Sequence, residues 1–192
     1  MSNINNEPDK PVVRKTWTML KKAYTPIEFT TSIVPAFVEK DKTSTLVFKH
    51  ANDYGTWSLV ASVEGTYGIY SAVDKKESSS WWVWKQSNFQ SITIELPEGL
   101  SIAPETFFID VTSASTDSYI DGYDPKTNEW VVLCITKDTT FQNCERYLTV
   151  PEELRNYYTK FRFNVRSNYQ YSAMRDTNIS EFDLIKGKYI QK

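Results

Sequence analysis

In "SITIEL", residues 91–96, Ile92, Ile94 and Leu96 fall on one side of an extended backbone while Thr93 and Glu95 fall on the other. The segment "FRFNV", residues 161–165, repeats the pattern with Phe161, Phe163 and Val165 against Arg162 and Asn164. Side chains on a strand alternate between faces, so each segment reads as a strand with one buried and one solvated side. "TFFIDV", "YIDGYD", "EWVVLCI" and "EFDLI" add further short apolar runs, separated by turn clusters such as "DPKTNE" at 124–129 and "LPEGL" at 96–100. Many half-buried strands joined by tight turns can bury their apolar faces only against one another, which predicts an all-β sandwich or barrel from about residue 46 onward. The one interruption is "TVPEELRNYY", where Thr149, Pro151 and the two acids that follow predict a short helical turn. Aromatic residues make up 15% of the chain, enough for large rings to fill much of the core.

A chain of 192 residues accommodates one sizeable core plus an arm. Residues 1–12 are polar and carry Pro8 and Pro11; beyond them Val13, Trp17, Leu20 and Tyr24 recur at helical spacing while "TWTML" also alternates as a strand would, and Pro26 and Pro35 limit either element. Residues 1–45 are therefore assigned to an N-terminal arm or adaptor, and 46–192 to the β domain. A formal charge of -2 supplies no basic field for nucleic acid. No apolar run approaches the roughly 20 residues a helix needs to cross a bilayer, so no membrane insertion is expected. The N-terminus lacks the basic start, apolar centre and cleavage site of a secretory signal, so export by that route is not expected. Cys134 and Cys144 lie across a predicted hairpin and either pair, if the register sets them opposite, or remain two buried thiols. With His50 as the one histidine they form no metal-ligand cluster of the usual spacing.

The most concentrated feature is Trp81, Trp82 and Trp84, which follow a polar turn at 74–80. On a strand Trp82 and Trp84 share a face and Trp81 takes the other, so the cluster is not a single core stripe; either inward rings close one end of the core or an exposed ring offers a platform for a sugar face. The order of motifs here resembles the discoidin family, the coagulation factor V/VIII type C domains among the galactose-binding-like jelly rolls. "YSAVDKKESSSWW" resembles that family's turn from a small residue, a hydrophobe and Asp into Trp, with Trp81 or Trp82 as its buried Trp. "QSITIELPEGLSI", "YIDGYDPKTNEWVVL", "KFRFNV" and "ISEFDLIKG" follow in the family's order, over roughly 46–187. Lys75 stands where the family has glycine, and the paired cysteines that join the termini of animal members are absent. The resemblance therefore implies a jelly-roll β-sandwich of a microbial or viral member.

It also implies a structural calcium held by Asp74, Ser79 and Glu181, oxygen ligands of the type calcium prefers. Ligand-binding loops at one end of such a barrel correspond here to "EGTYGIY" and "RSNYQYSAMR", where Tyr67, Tyr169 and Tyr171 accompany Arg166, Asn168 and Arg175; flat rings beside amide and guanidinium donors suit a sugar or a peptide surface. Catalysis finds no support in a nucleophile elbow, a phosphate-cradling loop or a partner for His50, so no enzymatic activity is expected. The resulting expectation is a non-enzymatic structural or adhesive virion component of a tailed bacteriophage, a capsid decoration, head-fibre or tail protein. In that reading the arm docks on other virion subunits in an oligomeric assembly. The alternative is a carbohydrate-binding module of a microbial glycan-recognition system, working outside the cell on surface glycan.

Overall fold

The computed structural model describes residues 24–65, 67–76, 79–84, 88–113, 117–136, 142–166 and 176–192. Among these, the strands form two antiparallel sheets. The first runs β1 (Ile27–Phe29), β12 (Asp176–Gln191), β7 (Leu100–Ser113) and β10 (Gln142–Thr149), with β5 (Trp81–Trp84) also paired to β12. The second runs β2 (Lys42–Ser44), β3 (Val47–Asn52), β4 (Gly55–Ala61), β6 (Gln90–Glu95), β11 (Lys160–Val165), β8 (Tyr119–Asp124) and β9 (Glu129–Ile135). This is the jelly-roll sandwich of discoidin type that the strand periodicity and motif order predict.

The two alternating segments pair with each other: Phe161 lies opposite Ile94 and Phe163 opposite Ile92, so their apolar sides face the same core and Arg162 and Asn164 face out. Facing them, the first sheet contributes Ile102, Phe107, Ile109 and Val111 from β7 and Ile179, Phe182 and Leu184 from β12, all buried. Phe107 contacts Phe161 edge-on at 5.4 Å, and Phe163 lies 5.5 Å from Phe182, so aromatic rings join the layers. "YIDGYDPKTNEWVVL" is a hairpin in which Tyr123 pairs with Trp130 and Asn128, at φ 59°, closes the turn. The short helical turn is present as a 3-10 turn at Glu152–Leu154.

Of the segment 1–45 assigned above to an arm, residues 1–23 lie outside the described residues, and residues 24–45 are built into the sandwich over most of their length. β1 pairs with the C-terminal half of β12, Ile27 opposite Tyr189. Ile33, Val34 and Phe37 are buried in the main core, the backbone N–H of Ile33 donating to the carbonyl of Leu184 at 3.2 Å. The predicted hairpin between the cysteines does not form, because β9 and β10 lie in different sheets. Cys134 is a free thiol, and burial pushes it up to about 12.

Trp81 is fully buried and Val83 lies beside it in the core, whereas Trp82 is half-buried on the opposite face of β5. The cluster thus closes the core with its first ring. Gly65 makes this fit achievable: a Cβ there would come within 2.7 Å of the Trp81 ring and 2.8 Å of the Trp82 carbonyl. Trp81→Ala is expected to cost about 3–5 kcal/mol, the range for emptying a large aromatic site, read as a lower urea midpoint with an unchanged slope. Gly65→Ala is expected to destabilise as well, and Trp82→Ala much less than Trp81→Ala in the same measurement.

Candidate functional site

Five connections end at the same pole of the sandwich. The register fixes this: Ala61 lies opposite Ile92, Val165 opposite Gln90, Asn164 opposite Tyr119 and Tyr119 opposite Ile135. The connections leaving β4, β9 and β11 and those entering β6 and β8 must therefore meet. Ser62 ties two of them, its hydroxyl donating to Gln90 Oε1 at 2.9 Å while accepting from the Ser91 backbone N–H at 2.8 Å.

At this pole Phe89 and Tyr119 meet edge-on at 5.3 Å, and the Arg166 guanidinium lies 5.1 Å from the Phe89 ring centre. Asp117 holds Arg166 in place, accepting from Nε at 3.1 Å and from a terminal nitrogen as well. The forked contact fixes the plane of the guanidinium and leaves it beside an aromatic surface of which Phe89 is 39% exposed. Tyr67, 55% exposed, stands in the connection that leaves β4 here. Of the sequence candidates, Arg166 thus joins the cluster and Tyr67 lies exposed in the connection between β4 and β5; Asn168, Tyr169, Tyr171 and Arg175 lie outside the described residues. Phe89, Asp117 and Tyr119 were not legible as a site, since the connections entering β6 and β8 and the first residue of β8 bring them to Arg166 and no local motif marks them.

The outer face of the second sheet carries another aromatic group, already filled by the chain itself. The Arg162 guanidinium stacks 3.9 Å from the Trp130 ring centre and is held by buried Asp121, with Nε donating to Oδ1 at 3.0 Å. Asp121 raises Arg162 above its ordinary value and also accepts from Asn164 Nδ2 at 3.0 Å. His50 faces Asp41, Nδ1 to Oδ2 2.9 Å, and the edge of Phe37.

The Asp74 turn has a different character from the one its resemblance implies. Asp74 Oδ1 accepts from the Lys76 N–H at 3.0 Å, and the Ser79 hydroxyl lies 2.8 and 2.7 Å from the two carboxylate oxygens. Glu181 Oε2 accepts from the Lys75 N–H at 3.1 Å, and Oε1 faces the Lys75 ammonium at 3.2 Å. That ammonium also meets Asp183 Oδ2 at 2.7 Å. The acceptors of the implied calcium set are therefore taken by N–H and O–H donors and by a resident cation. As arranged they do not fit a calcium ion, which needs several oxygens turned toward one empty point. Among the described residues no group of three or more His, Cys, Asp or Glu side chains is placed to hold a metal.

Burial pushes the Glu181 carboxyl up to about 7, against the pull of the Lys75 ammonium and with the added push of Asp183. A carboxyl held protonated in the folded state loses its proton on unfolding wherever pH lies between the two values. The Glu181 contribution to stability is accordingly full below about 4.5, and declines as pH rises through about 7. Melting temperatures across this window should fall more steeply with rising pH for the parent than for Glu181→Gln, which does not titrate.

No protein-family model matches the sequence, and no curated protein sequence matches it. Solved structures do match the fold. A fragment of a putative chitobiase from Bacteroides thetaiotaomicron is 12% identical, with a TM-score of 0.54 over 81% of this chain and 98% of that one. The family 32 carbohydrate-binding module of C. perfringens NanJ, solved with galactose, is 14% identical, with a TM-score of 0.52 over 69% of this chain and 93% of that one. Chitosan-binding module 1 from a Paenibacillus chitosanase/glucanase is 15% identical, with a TM-score of 0.51 over 66% and 92%. At identities of 15% or less, the likeness is one of fold: the chain shares the discoidin-like jelly-roll sandwich that these carbohydrate-binding modules adopt.

They overturn the expectation of a bacteriophage capsid, fibre or tail component, with its virion location and its docking on other virion subunits. The physical reason lies in residues 27–45: they complete the domain's own sheet and core and are not an extended segment left to pair with a neighbour.

Proposed function

We propose that this protein is a non-catalytic glycan-binding module that takes its ligand at the pole built by Phe89, Asp117, Tyr119 and Arg166. The observation that carries the reading is the Phe89–Tyr119 pair beside an Arg166 fixed by Asp117, on a sandwich whose structural neighbours include modules solved with galactose and with 4,5-unsaturated mannuronic acid. A pyranose has one face of C–H groups and an edge of hydroxyls. The apolar face suits an exposed ring, and guanidinium N–H groups donate to hydroxyl or ring oxygens. The Asp117 pairing lowers the entropy lost by Arg166 when ligand arrives, because the fork is already oriented. A microbial glycan met outside the cell is the corresponding partner.

A glycan array followed by calorimetric titration of the hits tests this directly. Binding to at least one sugar is expected, with Phe89→Ala and Arg166→Met each weakening it about tenfold or more, equivalent to about 1.4 kcal/mol. Both substitutions should leave the melting temperature close to that of the parent. Absence of binding to any glycan, or variants that bind as the parent does, would refute the assignment.

A further inference from the structure

We propose that the Lys75 ammonium is the built-in structural cation of this fold, occupying the role that a bound divalent ion would otherwise fill between the Asp74 turn and β12. The need for a positive charge there comes from the sheet itself. On the outer face of the first sheet Glu145 lies opposite Asp110, and Asp110 opposite Glu181, so three acids sit side by side across three adjacent strands. Asp183 adds a fourth, in the next outward position of β12, opposite Phe108. Like charges directly opposite one another destabilise a sheet, and Glu181 and Asp183 are too deeply buried for water to screen them well.

A bulge makes this crowding inevitable. The register of β12 shifts between Ile179 and Glu181, which turns Glu181 outward when strict alternation from Ile179 would have sent it into the core. Lys75 answers it with three features. Its side chain reaches both buried carboxylates, Nζ lying 3.2 Å from Glu181 Oε1 and 2.7 Å from Asp183 Oδ2. Its backbone N–H donates to the other oxygen of Glu181 at 3.1 Å. It also holds φ at 61°, the left-handed region that costs a side chain energy and that glycine enters freely. The lysine thus holds a left-handed conformation while its ammonium lies between two buried carboxylates. Lys75 and Lys76 together roof a cavity of about 220 Å³ whose lining includes Phe108, Asp110 and Glu145.

The experiment uses the full chain and calcium chloride as the probe, with thermal melting as the readout. The parent should melt at the same temperature in chelator and in excess calcium; a saturable rise with calcium would overturn the proposal. Lys75→Gly keeps the backbone conformation and the N–H bond to Glu181, removes the whole side chain with its ammonium, and relieves the cost of the left-handed φ. It should melt several degrees lower in chelator and recover with calcium in a saturable way. A Lys75→Gly protein that is destabilised but indifferent to calcium would overturn the replacement idea, whereas one recovered only when calcium is present would support it. If that variant yields no folded protein in either condition, Lys75→Arg and Lys75→Met decide. Arg close to the parent with Met several degrees below supports a resident cation, and Met equal to the parent overturns it.

Discussion

The antiparallel pairing of β7 with β12 is the contact on which the rest of the sandwich hangs. It runs from Leu100 opposite Gln191 to Ser113 opposite Asn178, joining segments separated by much of the chain. Closing so long a loop is entropically unfavourable and is offset only when the paired strands gain a covered face. That cover comes from the second sheet, through Phe107 on Phe161 and Phe163 on Phe182. On the other side β12 carries β1 near its C-terminal end and β5 near its N-terminal end, so one long strand organises both the buried tryptophan and the segment preceding residue 46. No single hairpin here has an apolar face complete enough to stand alone.

The same strand sets the chemistry of the outer face. The bulge beyond Ile179 lets Phe182 and Leu184 resume the inward side while Glu181 and Asp183 emerge together on the outward one. A short turn from Asp74 then lies over them, pinned by Ser79 below and by Lys75 across. The outer face of the first sheet is closed on itself by ion pairs, the outer face of the second by the Arg162 stack on Trp130, and the loop pole keeps an aromatic surface with an oriented guanidinium open to solvent.

Much of the architecture was legible. The alternations in "SITIEL" and "FRFNV" predicted which side chains enter the core, whereas the choice between Trp81 and Trp82 as the buried ring was left open and the structure made it, placing Trp81 inside with Val83. The spacing of Ile179, Phe182 and Leu184, three and then two, carried the mark of the bulge, though alternation alone does not say which neighbour it serves. Residues 27–45 were harder. Ile33, Val34 and Phe37 show no clean period and flank Pro35, so nothing local indicated that they belong to the core and not to a partner's surface. Of the candidate cluster only Arg166 was singled out in the sequence. Phe89, Asp117 and Tyr119 are ordinary residues in sequence and become a cluster through register across β6, β8 and β11.

By itself, the sequence determined an all-β sandwich, because period-two alternation can be buried only by a second sheet, and it determined the lysine in the Asp74 turn. Only the tertiary structure decided that Cys134 and Cys144 belong to different sheets, that the segment after Pro26 adds a strand to β12, and that Arg166 meets Asp117 beside Phe89. The reason is common to all three. Strand periodicity is a property of neighbours along the chain and survives in the sequence, whereas sheet order and register depend on which distant strands minimise exposed edges and buried charge, and no local pattern records that choice.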